Sequence, residues 1–416
     1  MHFVRRTAAL VAAALLWGSV LPAQVPADST LRRQQRTLDS LVTVIRALQA
    51  RIDSLAQKRA GGDTSGGDEL AALRAAASSA SADSAAAAAQ PRQARLGQNA
   101  LNPEISVTGD VRVSAFNPGP QSNNFVGREF EFGFESALDP YTTAKIFTSF
   151  EGGQASIEEA YLYFPVLPWH LRLDIGRFRQ EVGELNRWHL HAVPEDEYPL
   201  VVRRYASDDG LVGTGISLYY PLPFSGKAGT YELYVQGTTG ESAVLYASGS
   251  RPSLTSKVAG FWQLSRASYF MASVTGAAGT NPDSGLNSSL GVLAARFTWR
   301  PPQQGQAREL TIRGEWWNLH RKVSASSTTR YGGYADATWR LDRRFILGAR
   351  WDWLQAADVS LSAHEWAFTP ALTYWQSEFV FLRALLEHAR DTAGANRDRL
   401  TFQAVYAMGP HKHELF

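Results

Sequence analysis

The chain has 416 residues, 41 Lys and Arg against 39 Asp and Glu, and no Cys. That near-balance excludes a protein built to neutralise a phosphate backbone, so no nucleic-acid partner is expected, and the missing thiols exclude a disulfide framework, Cys-ligated zinc and thiol catalysis. A hydrophobic share of 44% excludes wholesale disorder, and no apolar run reaches the roughly 18 residues that a bilayer-spanning helix needs.

At the N-terminus, Arg5 and Arg6 precede an apolar stretch over 7–20 and then small residues around Ala23. This is the order of a secretory signal peptide, expected over 1–23, with Ala27 as the alternative cleavage site to Ala23. A seven-residue repeat follows. Leu31, Leu38, Ile45 and Ile52 occupy its a positions, and Gln34, Leu41, Leu48 and Leu55 its d positions. A 3.5-residue period predicts a short left-handed α-helical coiled coil over 28–60. Its stripe is too narrow to pack on a globular core, which favours pairing with other helices. Residues 61–103 are rich in Ala, Ser and Gly, the composition of a slack linker, here a periplasmic one.

From Glu104 onward, period two replaces the helical period. Trp169, Leu171, Leu173 and Ile175 share one face while His170, Arg172 and Asp174 share the other. Phe345, Leu347, Ala349, Trp351 and Trp353 alternate with Arg344, Ile346, Gly348, Arg350 and Asp352. About 16 such segments of roughly ten residues are legible, the length that crosses a bilayer at a tilt. Their connections alternate between long ones (117–125, 180–210, 239–255, 278–288, 320–329 and 388–397) and tight ones such as Leu341-Asp342-Arg343. Aromatic residues gather toward the segment ends: Tyr141, Trp169, Trp299, Trp339, Phe345, Tyr374 and Trp375 near the tight turns, and Phe116, Trp316, Trp317, Tyr331, Trp353 and Trp366 near the long ones. Two such belts suit the two interfaces of a membrane. The last residue, Phe416, is of the type that ends outer-membrane barrels. These features predict an all-β fold over 104–416: a 16-stranded antiparallel transmembrane β-barrel in the bacterial outer membrane, its outside bathed in lipid. A closed sheet satisfies every backbone donor and acceptor, as hydrocarbon requires.

Sixteen strands leave an aqueous bore. An Arg facing lipid at mid-depth costs about 2–4 kcal/mol, so Arg112, Arg172, Arg296, Arg313, Arg350 and Arg383 are expected to line that bore. Asp110, Glu131, Asp174, Glu232, Asp336 and Asp352 are expected opposite them. Each is equally readable as an ion-paired wall residue with little influence on traffic. The longest connection, after the fifth strand, carries Arg179, Arg187, His189, His191, Asp196, Arg203 and Arg204. Such a mixture suits a loop folded into the bore as an eyelet, where charge sets selectivity.

The run Ile175-Gly176-Arg177-Phe178-Arg179, with Gly183, Leu185-Asn186, His189, His191, Pro194, Pro199-Leu200, Arg203-Arg204, Gly210-Leu211 and Gly213-Thr214-Gly215, resembles the phosphate-selective porin O and P family. Glu158-Glu159-Ala160-Tyr161-Leu162 and Gly409-Pro410-His411 fit it too. The resemblance covers about 104–416 and is motif-dense only over 155–220. It implies a homotrimeric 16-stranded channel passing small solutes, anions before cations. The chain departs from that family in its lysines: only Lys58, Lys145, Lys227, Lys257, Lys322 and Lys412 are present, none within 180–210. Phosphate as the solute therefore stays open beside a weak anion preference.

Competing chemistry is sparse. His189 and His191 with Asp196, or the pair His411 and His413, offer imidazole and carboxylate donors, yet ordinary hydrogen-bonded or solvent-exposed histidines explain them better, and no metal or other cofactor is expected. No pattern singles out a nucleophile with its base, so an enzyme is not expected. The remaining alternative is an anchor whose coiled coil touches the cell wall while the barrel is structural.

Overall fold

A computed structural model describes residues 103–409, apart from 120–123, 227–228, 243, 248–250, 283–285, 306, 324–325 and 358–362. The signal peptide, the coiled coil, the linker up to residue 102, and His411, His413 and Phe416 lie outside the described residues.

Among the described residues there are sixteen strands. They are β1 (Glu104–Asn117), β2 (Phe125–Ala137), β3 (Thr143–Glu151), β4 (Gln154–Phe164), β5 (Arg172–Arg179) and β6 (Val212–Gly226). Next come β7 (Gly229–Thr238), β8 (Ser253–Gln263), β9 (Ser268–Thr280), β10 (Asn287–Trp299) and β11 (Glu309–Val323). The last are β12 (Ser326–Arg340), β13 (Phe345–Gln355), β14 (His364–Ser377), β15 (Val380–Arg390) and β16 (Asn396–Met408). Each pairs antiparallel with its chain neighbours, and β1 pairs with β16 to close the barrel. The alternation places segment starts near 104, 126, 142, 155, 169, 211, 228, 256, 268, 289, 307, 330, 343, 362, 377 and 398, each within four residues of the observed strand start.

The alternation decides the sidedness. On β13, Phe345, Leu347 and Trp351 are 38%, 42% and 47% exposed, while Arg350 and Asp352 are 1% and 0% exposed. On β15, Leu382 and Leu386 face out and Arg383 and Glu387 face in. An apolar outer surface extending over all sixteen strands far exceeds what a water-soluble protein exposes and matches a barrel set in lipid.

Three expectations are corrected. Trp169 is not on a strand: it lies with His170 in a 3-10 turn before β5, both at positive φ, because Pro168 and the turn break the alternation there. Residues 320–329 are not a long connection. β11 and β12 run on through Lys322 and the Ser326-Ser327-Thr328-Thr329 segment, whose β-branched and hydroxylated residues continue the ladder. Trp317 belongs to no outer belt. It is fully buried inside, while its neighbour Trp316 faces out and stacks on Trp353 with ring centroids 6.0 Å apart.

Candidate functional site: the loop clamped inside the barrel

The β5–β6 connection folds inward as expected, but it does not hang in an open bore. Pro199 starts a short helix, α1 (Leu200–Tyr205), whose Leu200, Val201, Val202 and Tyr205 are buried. They pack with Val182, Leu185, Val193 and Tyr198 of the same loop onto inward-facing apolar residues of the wall, among them Leu290, Val292, Trp317, Leu319 and Leu354. Leu245 and Tyr246 from the β7–β8 connection join this cluster. The lumen is therefore partly apolar, where the alternation predicts a uniformly polar inner face. The physical reason is that a 32-residue insertion, residues 180–211, needs its own packing surface to hold one conformation. Asp352 Oδ1 accepts from the Leu200 amide at 2.9 Å, and Glu315 Oε1 accepts from the Glu184 and Leu185 amides at 2.7 and 3.2 Å. These carboxylates take up loop donors that would otherwise be buried without partners.

Charge fastens the loop on two sides. On one, the acidic run Glu195-Asp196-Glu197 meets guanidinium groups from the wall. Arg350 donates to Glu195 at 2.7 Å and to its own strand's Asp352 at 2.7 Å. Arg399 and Arg112 reach Asp196 at 2.5 and 3.5 Å, and Arg112 reaches Glu197 at 3.1 Å. Arg128 donates to the Asp196 carbonyl and Arg383 to that of Glu195. Burial alone would raise the pKa of Glu197, but Arg203, Arg399, Arg112 and Arg128 override it and hold the carboxyl far below the usual range.

On the other side, His189 and His191 meet carboxylates of β2 and β4. His189 Nδ1 lies 2.5 Å from Glu131 and 3.2 Å from Glu158, its Nε2 lies 3.1 Å from Glu159, and His191 Nδ1 lies 3.2 Å from Glu129. Burial would depress the His189 pKa, yet these carboxylates hold it well above the ordinary imidazole value. Two β-bulges build this wall. The β1–β2 register skips Arg128 and the β3–β4 register skips Glu158, so Arg128 and Glu129, and likewise Glu158 and Glu159, turn inward as adjacent pairs.

The thirteen residues expected around the bore distribute as follows. Arg112, Asp196, Arg350 and Arg383 form the acidic-run clamp, and Arg203 pairs with Glu197. His189 and His191 sit in the carboxylate cluster, beside Arg179, which donates to Glu158 at 2.6 Å and Tyr198 at 2.8 Å. Arg313 is buried against Asp336 at 3.0 Å and lies over the Trp188 ring. Arg204 pairs with Glu365, its side chain 44% exposed. Arg172, Arg187 and Arg296 converge elsewhere, around a cavity of about 750 Å³. Arg313, Arg350 and Arg383 were expected to stand in a water column. They are instead buried, because the loop covers them. Glu129, Glu158 and Glu159 escaped selection as site residues. Adjacent charges in a barrel strand are the available signal, since strict alternation would turn one of each pair toward lipid.

The cavity lies toward the tight-turn end, where β5, β7 and β9 begin. Arg172, Arg187, Lys257 and Arg296 line it together with Glu181, Glu184, Glu232 and the rings of Trp188, Tyr219 and Tyr234. Lys257 pairs with Glu181 at 2.9 Å and Arg296 with Glu184 at 2.8 Å. Burial would raise the Glu181 pKa, but Lys257 and Arg187 hold it below the usual range.

No family model matches the chain. An uncharacterized protein of Aquifex aeolicus is 30% identical over 89 residues, 21% of this chain and 19% of that protein. Solved structures match far more of the chain. OmpT, an outer membrane protein of Vibrio cholerae, superposes with a TM-score of 0.52 at 8% identity, over 75% of this chain and 99% of that one. The outer membrane channel DcaP of Acinetobacter baumannii gives 0.52 at 12% identity, over 74% and 96%. A trimer form of the Vibrio cholerae OmpT gives 0.50 at 8% identity, over 74% and 99%. The barrel has the fold of outer-membrane porins. At these identities the likeness is one of architecture. Within the porin fold, this chain's own features are the doubly clamped loop and the charged cavity beside it.

Proposed function

We propose that the protein is a passive, non-enzymatic outer-membrane channel for small hydrophilic solutes, with a weak preference for anions, and that it assembles as a homotrimer. The observation that carries this reading is the 750 Å³ cavity, lined by four cationic and three carboxylate side chains inside a barrel whose outer face is apolar. A site of this kind admits hydrated solutes, and its small cationic surplus biases their sign. The resemblance to phosphate-selective porins makes phosphate one anion to try. The trimer form of the Vibrio cholerae protein supports the assembly. Arg112, Arg179, Arg187, His189, His191, Asp196, Arg203 and Arg204 then act by fixing the loop and the field across it, and Arg172 and Arg296 by facing the solute.

Single-channel recording in planar bilayers tests this reading. Stepwise ohmic conductance in KCl is expected, with a reversal potential under a salt gradient displaced to the anion side. A second reading has a specific observation in its favour. The loop is bonded to wall residues of β1, β2, β4, β8, β10, β11 and β13–β16, as a plug would be. Folded protein that inserts and gives no steps would make the barrel a structural anchor.

A further inference from the structure

The carboxylate wall holds more chemistry than fastening a loop requires. Two sets of donor atoms, Glu131 with Glu158 and His189, and Glu129 with Glu131 and His191, each lie within 4.8 Å of one another and share Glu131. We propose that this cluster binds a divalent transition-metal ion inside the barrel, with Glu131, Glu158 and the His189 Nδ1 as its ligands and Glu129 and His191 at hand to complete the coordination.

Geometry supports this first. Zinc-type ions take nitrogen and oxygen donors at about 2.0–2.2 Å, which sets ligands on one ion roughly 3 Å apart. His189 Nδ1 already lies 2.5 Å from Glu131 and 3.2 Å from Glu158. The donors come from β2, β4 and the inward loop, and they are buried or nearly so.

The surrounding groups point the same way independently. Histidines that ligate metals donate their other ring N–H to a carboxylate, which fixes the ring and its tautomer. His189 Nε2 has such a partner in Glu159 at 3.1 Å. Glu159 is itself held by the Arg179 amide at 2.7 Å, and the Arg179 guanidinium holds Glu158 at 2.6 Å. Metal sites are built in these two layers, whereas a simple ion pair needs only one. The bulge at Glu158 serves the same end: it lets adjacent residues take different layers, Glu158 as ligand and Glu159 as orienting base.

Charge adds a third argument. Glu129, Glu131, Glu158 and Glu159 gather around the two imidazoles, with the Arg179 guanidinium on Glu158, and charge taken out of water must be compensated. A divalent ion adds positive charge to this carboxylate-rich site. The mixed imidazole and carboxylate donors select a first-row ion such as Zn²⁺ over Ca²⁺ or Mg²⁺, which prefer oxygen alone.

The test is metal uptake by the folded full-length chain, a readout that does not depend on conductance. Protein stripped with a chelator is dialysed against Zn²⁺, washed and assayed for bound metal. At least one Zn²⁺ per chain is expected. Glu131→Gln and His189→Gln should abolish retention, Glu159→Gln should weaken affinity roughly 10–100-fold, and Glu378→Gln on the rim should change nothing. Folding of each variant is checked by heat-dependent migration on gels. Should the ligand variants not fold, Co²⁺-loaded wild-type protein gives the answer alone, through a visible spectrum distinct from that of the hydrated ion. Wild-type protein that retains no Zn²⁺, or that leaves the Co²⁺ spectrum unchanged, overturns the proposal.

Discussion

The two faces of the inward loop are fastened by opposite arrangements of charge. Around residues 195–197 the loop supplies carboxylates and the wall supplies guanidinium groups; around residues 189–191 the loop supplies imidazoles and the wall supplies carboxylates. The arginine side is multiply bonded. Arg350 alone contacts Glu195, Asp352 and the Glu197 carbonyl. The histidine side concentrates negative charge in a small volume. Arginines of β1, β13, β15 and β16 thus meet the loop on one stretch of the wall and carboxylates of β2 and β4 on the next, with Arg128 and Glu129 of β2 at the join and a single loop complementary to both. A loop held in this way has a defined position and a field across it.

Three experiments press on that contrast. The largest effect is expected from Arg350→Met, which leaves Glu195 and Asp352 buried without their cation. Breaking a buried pair from one side costs about 3–5 kcal/mol, read from the midpoint of denaturant unfolding in lipid vesicles. A change under about 1 kcal/mol, the range of exposed pairs, would mean that water enters where the loop now seals.

Acidification comes next. Glu197, beside Arg112, Arg128, Arg203 and Arg399, and Glu181, beside Lys257 and Arg187, both have depressed pKa values in the folded state. Their stabilisation is complete above the unfolded carboxyl value of about 4.3 and disappears as the pH falls through the lower folded values. Current noise from loop motion should rise below about pH 4 and subside on neutralisation. Noise that stays level across that range would detach the loop's order from these carboxylates.

The smallest effect is assigned to Arg204→Glu. Its side chain is 44% exposed, so stability should change by no more than about 1 kcal/mol, while the reversal potential moves toward cations. An unmoved reversal potential would place Arg204 outside the solute path.

Much of the barrel was legible before the structure because its rule is local. Phe345, Leu347 and Trp351 against Arg350 and Asp352 state their sides by alternation alone, and the starts of β1, β9 and β12 follow from the same pattern to within a few residues. Where the rule failed, a non-local cause was at work. Trp317 reads as a belt residue by its position in β11, yet the inward loop needed a surface to pack on and took it. Glu158 and Glu159 are adjacent charges that strict alternation cannot both turn inward, and the β3–β4 register shows the bulge that does so.

By itself, the order of apolar and charged residues determined a 16-stranded barrel with a lipid-facing exterior and an insertion after β5. The reason is that lipid on one side and polar groups on the other impose period two on every strand. Only the tertiary structure decided that the insertion is clamped from two neighbouring stretches of wall, that Arg313, Arg350 and Arg383 are buried beneath it, and that His189 meets three carboxylates from two strands. Those outcomes depend on groups distant in sequence being brought together by closure of the sheet, and no local pattern encodes which inward face an insertion will meet.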